Sequence, residues 1–271
     1  DGRTLYTSDG GDVVAFNQSG DTLWRTTVDS GSEVTGITTD QYGFIYATSS
    51  AGQVEKLNPS DGATNWTYTS SKSFRKAGVT NEGIVYAGAQ DGTVTKVDSS
   101  GTQVWTKNYS TGDVWDIAIG PDGGIYIGHE NPAVEKLDSD GSVTWSYTTS
   151  ADVRGVSVTE NGVFIGDSGG NVEKLTSTGS PVWSTSTGWS YVNSVEEQDG
   201  TVIAGGAPGT VLSLSDQGSS VSENWESSSF ASYLWASEFD SDGNIYGGGY
   251  DGSNGIIAKF SPDGTNQFAS T

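Results

Sequence analysis

Tryptophan returns along this chain at a nearly fixed distance. Trp24, Trp66, Trp105, Trp145, Trp183 and Trp225 follow one another at intervals of 38 to 42 residues. A second marker keeps the same beat: Tyr6, Tyr46, Tyr86, Tyr126, Phe164, Ile203 and Tyr246 recur at 38 to 43 residues. Two markers in one register define seven units, the last carrying Phe268 where the others have Trp. A period of about forty residues means that each unit is one supersecondary element, unable to bury its apolar surface except against its neighbours.

Unit three shows the grammar of the repeat. Ile84-Val85-Tyr86-Ala87-Gly88, Val94-Thr95-Lys96-Val97-Asp98, Gln103-Val104-Trp105 and Val114-Trp115-Asp116-Ile117-Ala118-Ile119 are short alternating runs, divided by Asp91-Gly92 and Ser99-Ser100-Gly101. Period-two alternation with Asp-Gly and Ser-Gly punctuation predicts four strands, and no window holds helical periodicity longer than a turn. The expected fold is all-β, a seven-bladed β-propeller of four-stranded antiparallel blades spanning 1–271 as one domain. Three strands of the first blade fall in 1–26, and the last blade, 243–271, reads as incomplete. Six inner strands lie between, so 27 strands are expected and one blade lacks its inner strand. A segment before Asp1 or after Thr271 is expected to supply it, unless the open edge is covered another way. The opening Asp1 and the lack of Met read as a processed or excised segment.

The recurring pattern of apolar-Tyr-x-Gly, x-Asp-Gly-x-Val, x-apolar-Asp and Gly-x-x-x-Trp resembles the PQQ-like (quinoprotein-type) β-propeller repeat. It is clearest at 82–105 and 122–145, weaker at 199–225 and degenerate at 243–268. The resemblance implies a blade, and it leaves two functional classes: quinone-dependent alcohol and sugar dehydrogenases, and non-catalytic scaffolds. Many of those dehydrogenases place an adjacent Cys pair over the quinone and hold calcium with Glu, Asn and Asp, in much longer chains. This chain has no Cys. No catalytic residue is therefore carried over, a non-catalytic member is expected, and neither PQQ nor another cofactor is expected.

Composition narrows the partners. With 12 Lys and Arg against 34 Asp and Glu, the formal charge of −22 repels nucleic acid phosphates and anionic lipid. Only 17% of residues are charged while 11% are aromatic, which separates the chain from acidic disordered tails. No apolar stretch approaches the roughly 18 residues of a membrane span. One histidine, His129, and no Cys exclude multi-His and Cys-ligated metal sites. His129, in a loop beside Glu130, reads as solvated. The carboxylate excess resembles proteins of salt-loving archaea and their viruses, in which molar salt screens repulsion to about 3 Å. Stability is accordingly expected to rise with salt. A melting temperature unchanged or lower in molar KCl than in dilute buffer would defeat that expectation. Lack of Cys and Met also fits an oxidant-tolerant extracellular protein at a cell or virion surface.

The starts of the inner strands offer the best candidate site. Thr35, Arg75, Trp115, Arg154, Val192 and Trp235 are equivalent positions, and Trp189, Tyr191 and Tyr233 lie close by in sequence. Arg75, Trp115, Arg154, Trp189, Tyr191, Tyr233 and Trp235 are the expected ligand-binding residues, combining guanidinium donors with flat aromatic faces for a sugar or small anion. The bland alternative is packing between blades, with the arginines neutralising loop aspartates. Lys56, Lys96, Lys136, Lys174 and Lys259 share one place in the third strand. Each stem is expected to lie on the adjacent blade with its ammonium at a carboxylate. Asp138 and Asp140, and Asp240 and Asp242, resemble half of a calcium loop, which leaves calcium open, although tight turns use the same residues. Asn17, Asn65 and Asn108 head glycosylation sequons. The leading function is a non-enzymatic extracellular module presenting loops to a protein or glycan, compatible with a larger fibre, virion or surface assembly. The alternatives are a small PQQ- or sugar-dependent oxidoreductase and an intracellular or periplasmic-type assembly scaffold.

Overall fold

The computed structural model describes residues 4–17 and 21–270. Among them 27 strands form seven antiparallel sheets, with no helix. The fold is a seven-bladed β-propeller, as the repeat predicts. The first sheet has three strands, Leu5–Asp9, Asp12–Phe16 and Thr22–Thr27; the other six have four. The last sheet corrects the sequence reading of an incomplete blade from 243 onward. Tyr233–Phe239 pairs with Ile245–Tyr250 and completes it.

By packing, the chain divides into two compact units, 1–119 with 123–131 and 137–142, and 120–122 with 132–136 and 143–271. In the first unit the opening strands Val34–Thr39, Phe74–Val79 and Val114–Ile119 pack side by side. In the second, Val153–Thr159, Tyr191–Gln198 and Tyr233–Phe239 do the same. Such close approach leaves no room for side chains everywhere: a Cβ on Gly155 would lie 3.0 Å from the backbone of Ser194 in the next sheet.

Each core cluster spans two consecutive sheets, so burial is shared between neighbours. Phe164, Val172 and Trp183 of the fifth sheet meet Val192, Val202 and Leu212 of the sixth, and Tyr46 and Val54 of the second meet Val85 and Val97 of the third. The recurring Trp fastens these pairs. Its Nε1 donates to the turn of the following sheet: Trp24 to Pro59 O at 3.0 Å, Trp66 to Ser99 O at 3.1 Å, Trp145 to Ser177 O at 3.2 Å and Trp225 to Pro262 O at 3.0 Å. Trp183 uses Asp216 Oδ1 instead, at 3.0 Å. The glycine of that turn is required twice over. Gly141 has φ +76°, and a Cβ there would sit 2.8 Å from the Trp105 ring.

The structure adds rings to the oxygens expected around the lysines. Lys56, Lys96, Lys174 and Lys259 lie over rings of their own sheet, namely Tyr46, Tyr86, Phe164 and Tyr246, their register partners one strand inward. The ring is one contact of the ammonium, and for Lys96 and Lys174 the facing sheet supplies a closer one. The ammonium groups find oxygens as expected: Lys136 pairs with Asp122, Lys259 with Asp240 at 3.7 Å and Lys174 with Asp216, while Lys96 donates to Ser139 O at 2.7 Å.

Placement bears on three other readings. His129, read as solvated, instead ends the strand Ile125–His129, paired with Val114, and is only 2% exposed. Asp138 Oδ1 accepts the N–H groups of Asp140 at 3.0 Å and Ser142 at 2.8 Å, and Asp240 Oδ1 those of Asp242 at 2.9 Å and Asn244 at 2.8 Å. These carboxylates build their own turns. Asn65 and Asn108 are exposed strand residues. Of the sequon at Asn17, Gln18 and Ser19 lie outside the described residues.

Candidate binding site

The seven expected residues fall into two sets, one in each unit. In the first, the Arg75 guanidinium stacks 4.3 Å from the Trp115 ring centre, and both Nε and Nη2 donate to Asp113 Oδ2. Lys76 lies 3.3 Å from Asp116. Arg75 is thus neutralised by a loop aspartate, as the bland reading had it.

The second set is different in kind. The Arg154 guanidinium lies 5.0 Å from the Tyr191 ring centre, and its Nη1 is 3.4 Å from Asn193 Oδ1. Tyr191 and Tyr233 stack with centroids 6.1 Å apart and planes within 6°, and Tyr233 stacks in turn on Trp235 at 6.1 Å. The result is a ladder of one cation and three rings, built because Arg154, Tyr191, Tyr233 and Trp235 all sit at or near the starts of consecutive opening strands. Its outer end is open: Tyr233 is 41% and Trp235 51% exposed. Burial, followed by the neighbouring Tyr233, pushes the Tyr191 phenol up from its ordinary value, so it stays a neutral hydrogen-bonding group at neutral pH.

Trp189 stands apart from the ladder. It is 9% exposed, packs in the core between the fifth and sixth sheets, and donates from Nε1 to Glu226 Oε1 at 2.9 Å. With Ser190, Pro208, Ser232 and Tyr233 it lines an open groove of about 390 Å³. Sequence reasoning missed Tyr250, the register partner of Tyr233, which is 41% exposed beside the ladder. Following the hairpin from Tyr233 through its turn would have found it. It also missed Pro208, whose position across the groove no local pattern announces.

The chemistry is that of recognition. Exposed aromatic faces gain by covering apolar surface, at about 25 cal/mol per Å², and a guanidinium at the inner end fixes orientation. Among the described residues no group of three or more His, Asp or Glu gathers as metal ligands, and the chain has no cysteine.

Comparison with known proteins agrees with this architecture. The family model described as "Outer membrane protein assembly factor BamB" matches residues 9–115 and 91–238. No curated protein matches the chain in sequence. Among solved structures, a chain of "Crystal Structure of Mitotic Checkpoint Complex" superposes with a TM-score of 0.82 at 16% identity, covering 99% of this chain and 84% of that one. "Crystal structure of WD40 beta propeller domain of Doa1" gives 0.79 at 15% identity, covering 93% and 88%. At such identities the likeness is one of fold.

Proposed function

The chain belongs to the propeller family of outer membrane protein assembly factor BamB, and from that premise we propose that it is a non-enzymatic scaffold that docks a protein partner on its aromatic ladder. The observation that carries this reading is the exposed stack of Tyr233 and Trp235, anchored through Tyr191 to Arg154, on a body of charge −22. Trp, Tyr and Arg are the residues that dominate binding energy when a partner excludes water from them. The matched family is named for an assembly factor, and one structural neighbour is a chain of a multi-protein complex. Both support a scaffold role.

The location we propose is extracellular, at a cell or virion surface. The lack of Cys and Met and the surplus of carboxylates support it. A glycan is the second reading, favoured by the flat open faces of Tyr233 and Trp235, which suit the apolar face of a sugar ring.

A photo-crosslinking residue placed at position 235 tests the proposal, with position 104, an exposed site on an outer strand, as the comparison. One discrete protein adduct from surface fractions at 235, absent at 104, is the expected result. Equal adducts at both positions would overturn it. Glycan-array binding lost in Arg154→Ala and Trp235→Ala would move the assignment to the second reading. A stoichiometric, dye-reducing complex with PQQ and calcium would refute the non-enzymatic reading.

A further inference from the structure

The sixth sheet breaks the repeat at two positions together. Tyr46, Lys56 and Trp66 are register partners across three strands of the second sheet, as are Phe164, Lys174 and Trp183 in the fifth. At the same register the sixth sheet holds Ile203, Ser213 and Trp225. The inner ring and the lysine are gone, while the indole remains.

The surroundings of the next sheet's turn vary: beside the complete set of Tyr86, Lys96 and Trp105, a Cβ on Gly123 meets nothing within 4 Å. A Cβ on Gly83 would lie 3.0 Å from the Tyr46 hydroxyl and 3.7 Å from Lys56 Nζ; on Gly243, the matching glycine of the seventh sheet, it would meet only Pro262, at 3.6 Å. Gly243 and Trp225 line a cavity of about 320 Å³, at the small end of the roughly 300–1,000 Å³ typical of ligand pockets. Trp225, Phe239 and Ile245 give it apolar walls, and the exposed carboxylates of Asp199 and Asp263 lie on its lining. Trp225 is held in place by its hydrogen bond to Pro262 O.

In the second and fifth sheets a lysine of the chain itself stands at this register. Lys56 Nζ lies 4.1 Å from the centre of the Phe44 ring and 3.9 Å from Asp40, and Lys174 pairs with Asp216. We propose that the cavity binds an extended alkylammonium group from outside the chain. Its methylenes would cover Trp225 and Phe239 and its ammonium would meet Asp199 and Asp263, restoring the contacts that Lys makes in the regular sheets. A lysine side chain of a protein and a free polyamine share this chemistry. The inference is separate from ladder docking, because these residues sit at the turns joining first to second and third to fourth strands, the opposite end of the sheets from Tyr233.

The test titrates n-butylammonium into the full chain in dilute buffer and follows the Trp225 indole N–H resonance, assigned with Trp225→Phe. A saturable shift with n-butylammonium and none with n-butanol at equal concentration is expected. Ser213→Lys places a tethered ammonium at the register partner of Trp225 and is expected to weaken the response at least tenfold; should that variant not fold, Asp199→Asn with Asp263→Asn, both at exposed turns, is expected to do the same. No saturable shift, an equal response to butanol, or an undiminished response in the folded variant would overturn the proposal. Tighter binding of a capped lysine peptide than of 1,4-diaminobutane assigns the ligand to a protein, and the reverse order assigns it to a polyamine. Crosslinking at position 235 reads the other end of the sheets, so either proposal can fail alone.

Discussion

The second and fifth sheets, set beside the sixth, separate what the repeat needs from what merely fills it. All three keep the Trp whose Nε1 reaches the following turn: Trp66 to Ser99, Trp183 to Asp216, Trp225 to Pro262. Only the sixth gives up the ring and the lysine beside it. The sheets remain joined there, and a cavity lies beside the indole. The indole therefore carries the sheet-to-sheet join, which persists without the ring and lysine.

Removing the indole should have the largest effect. Trp183 is 8% exposed and shares Asp216 with Lys174, so Trp183→Ala is expected to lose about 3–5 kcal/mol in denaturant unfolding. Trp235→Ala, on a ring 51% exposed, should change stability within about 0.5 kcal/mol. Equal losses from the two would erase the distinction between fastening and presenting tryptophans.

A smaller effect is expected from the turn that receives the indole. Gly141→Ala places a Cβ at φ +76° and within 2.8 Å of Trp105, and is expected to cost about 1–3 kcal/mol. The same change at Gly218, with φ +83° but nothing within 4 Å of its Cβ, carries only the backbone part. A thermal melt in which both variants fall equally would show that the contact with the ring contributes nothing.

The smallest effect concerns a carboxylate buried in the regular fifth sheet. Burial pushes the Glu173 carboxyl above its ordinary value, against the lowering hydrogen bond from Tyr147, and the charge of Asp167 adds to the rise. Because the folded value is the higher one, the folded state binds the extra proton. The stability this gives is complete below the unfolded value and is lost as pH rises through the folded value. Glu173→Gln keeps an acceptor for the Tyr147 hydroxyl, 3.0 Å away, and removes the charge. Its melting temperature should match the original protein near pH 4 and exceed it increasingly toward pH 7. A gap independent of pH would contradict this.

Much of the fold was legible because its signals are local. Alternation in Val94-Thr95-Lys96-Val97 and the Gly of each Ser-Gly or Asp-Gly turn act within a few residues, and both survive translation into strands and turns. The candidate site was legible as a set of positions and illegible as an arrangement. Arg75 and Arg154 occupy equivalent places, yet one is held by Asp113 and the other faces Tyr191, since the partner comes from a sheet some forty residues away. His129 misled for a related reason: its neighbour Glu130 looks like loop, while His129 itself is a buried strand residue paired with Val114.

By itself the sequence determined the period, the number of strands and the places where the chain must turn, since these follow from side-chain alternation and backbone freedom along one stretch. Only the tertiary structure decided that lysines lie on rings of their own sheet, that Trp189 turns into the core while Trp235 stays open, and that a cavity lies beside Trp225. Those outcomes depend on which residues from separate repeats come within van der Waals reach, and packing between sheets sets that distance.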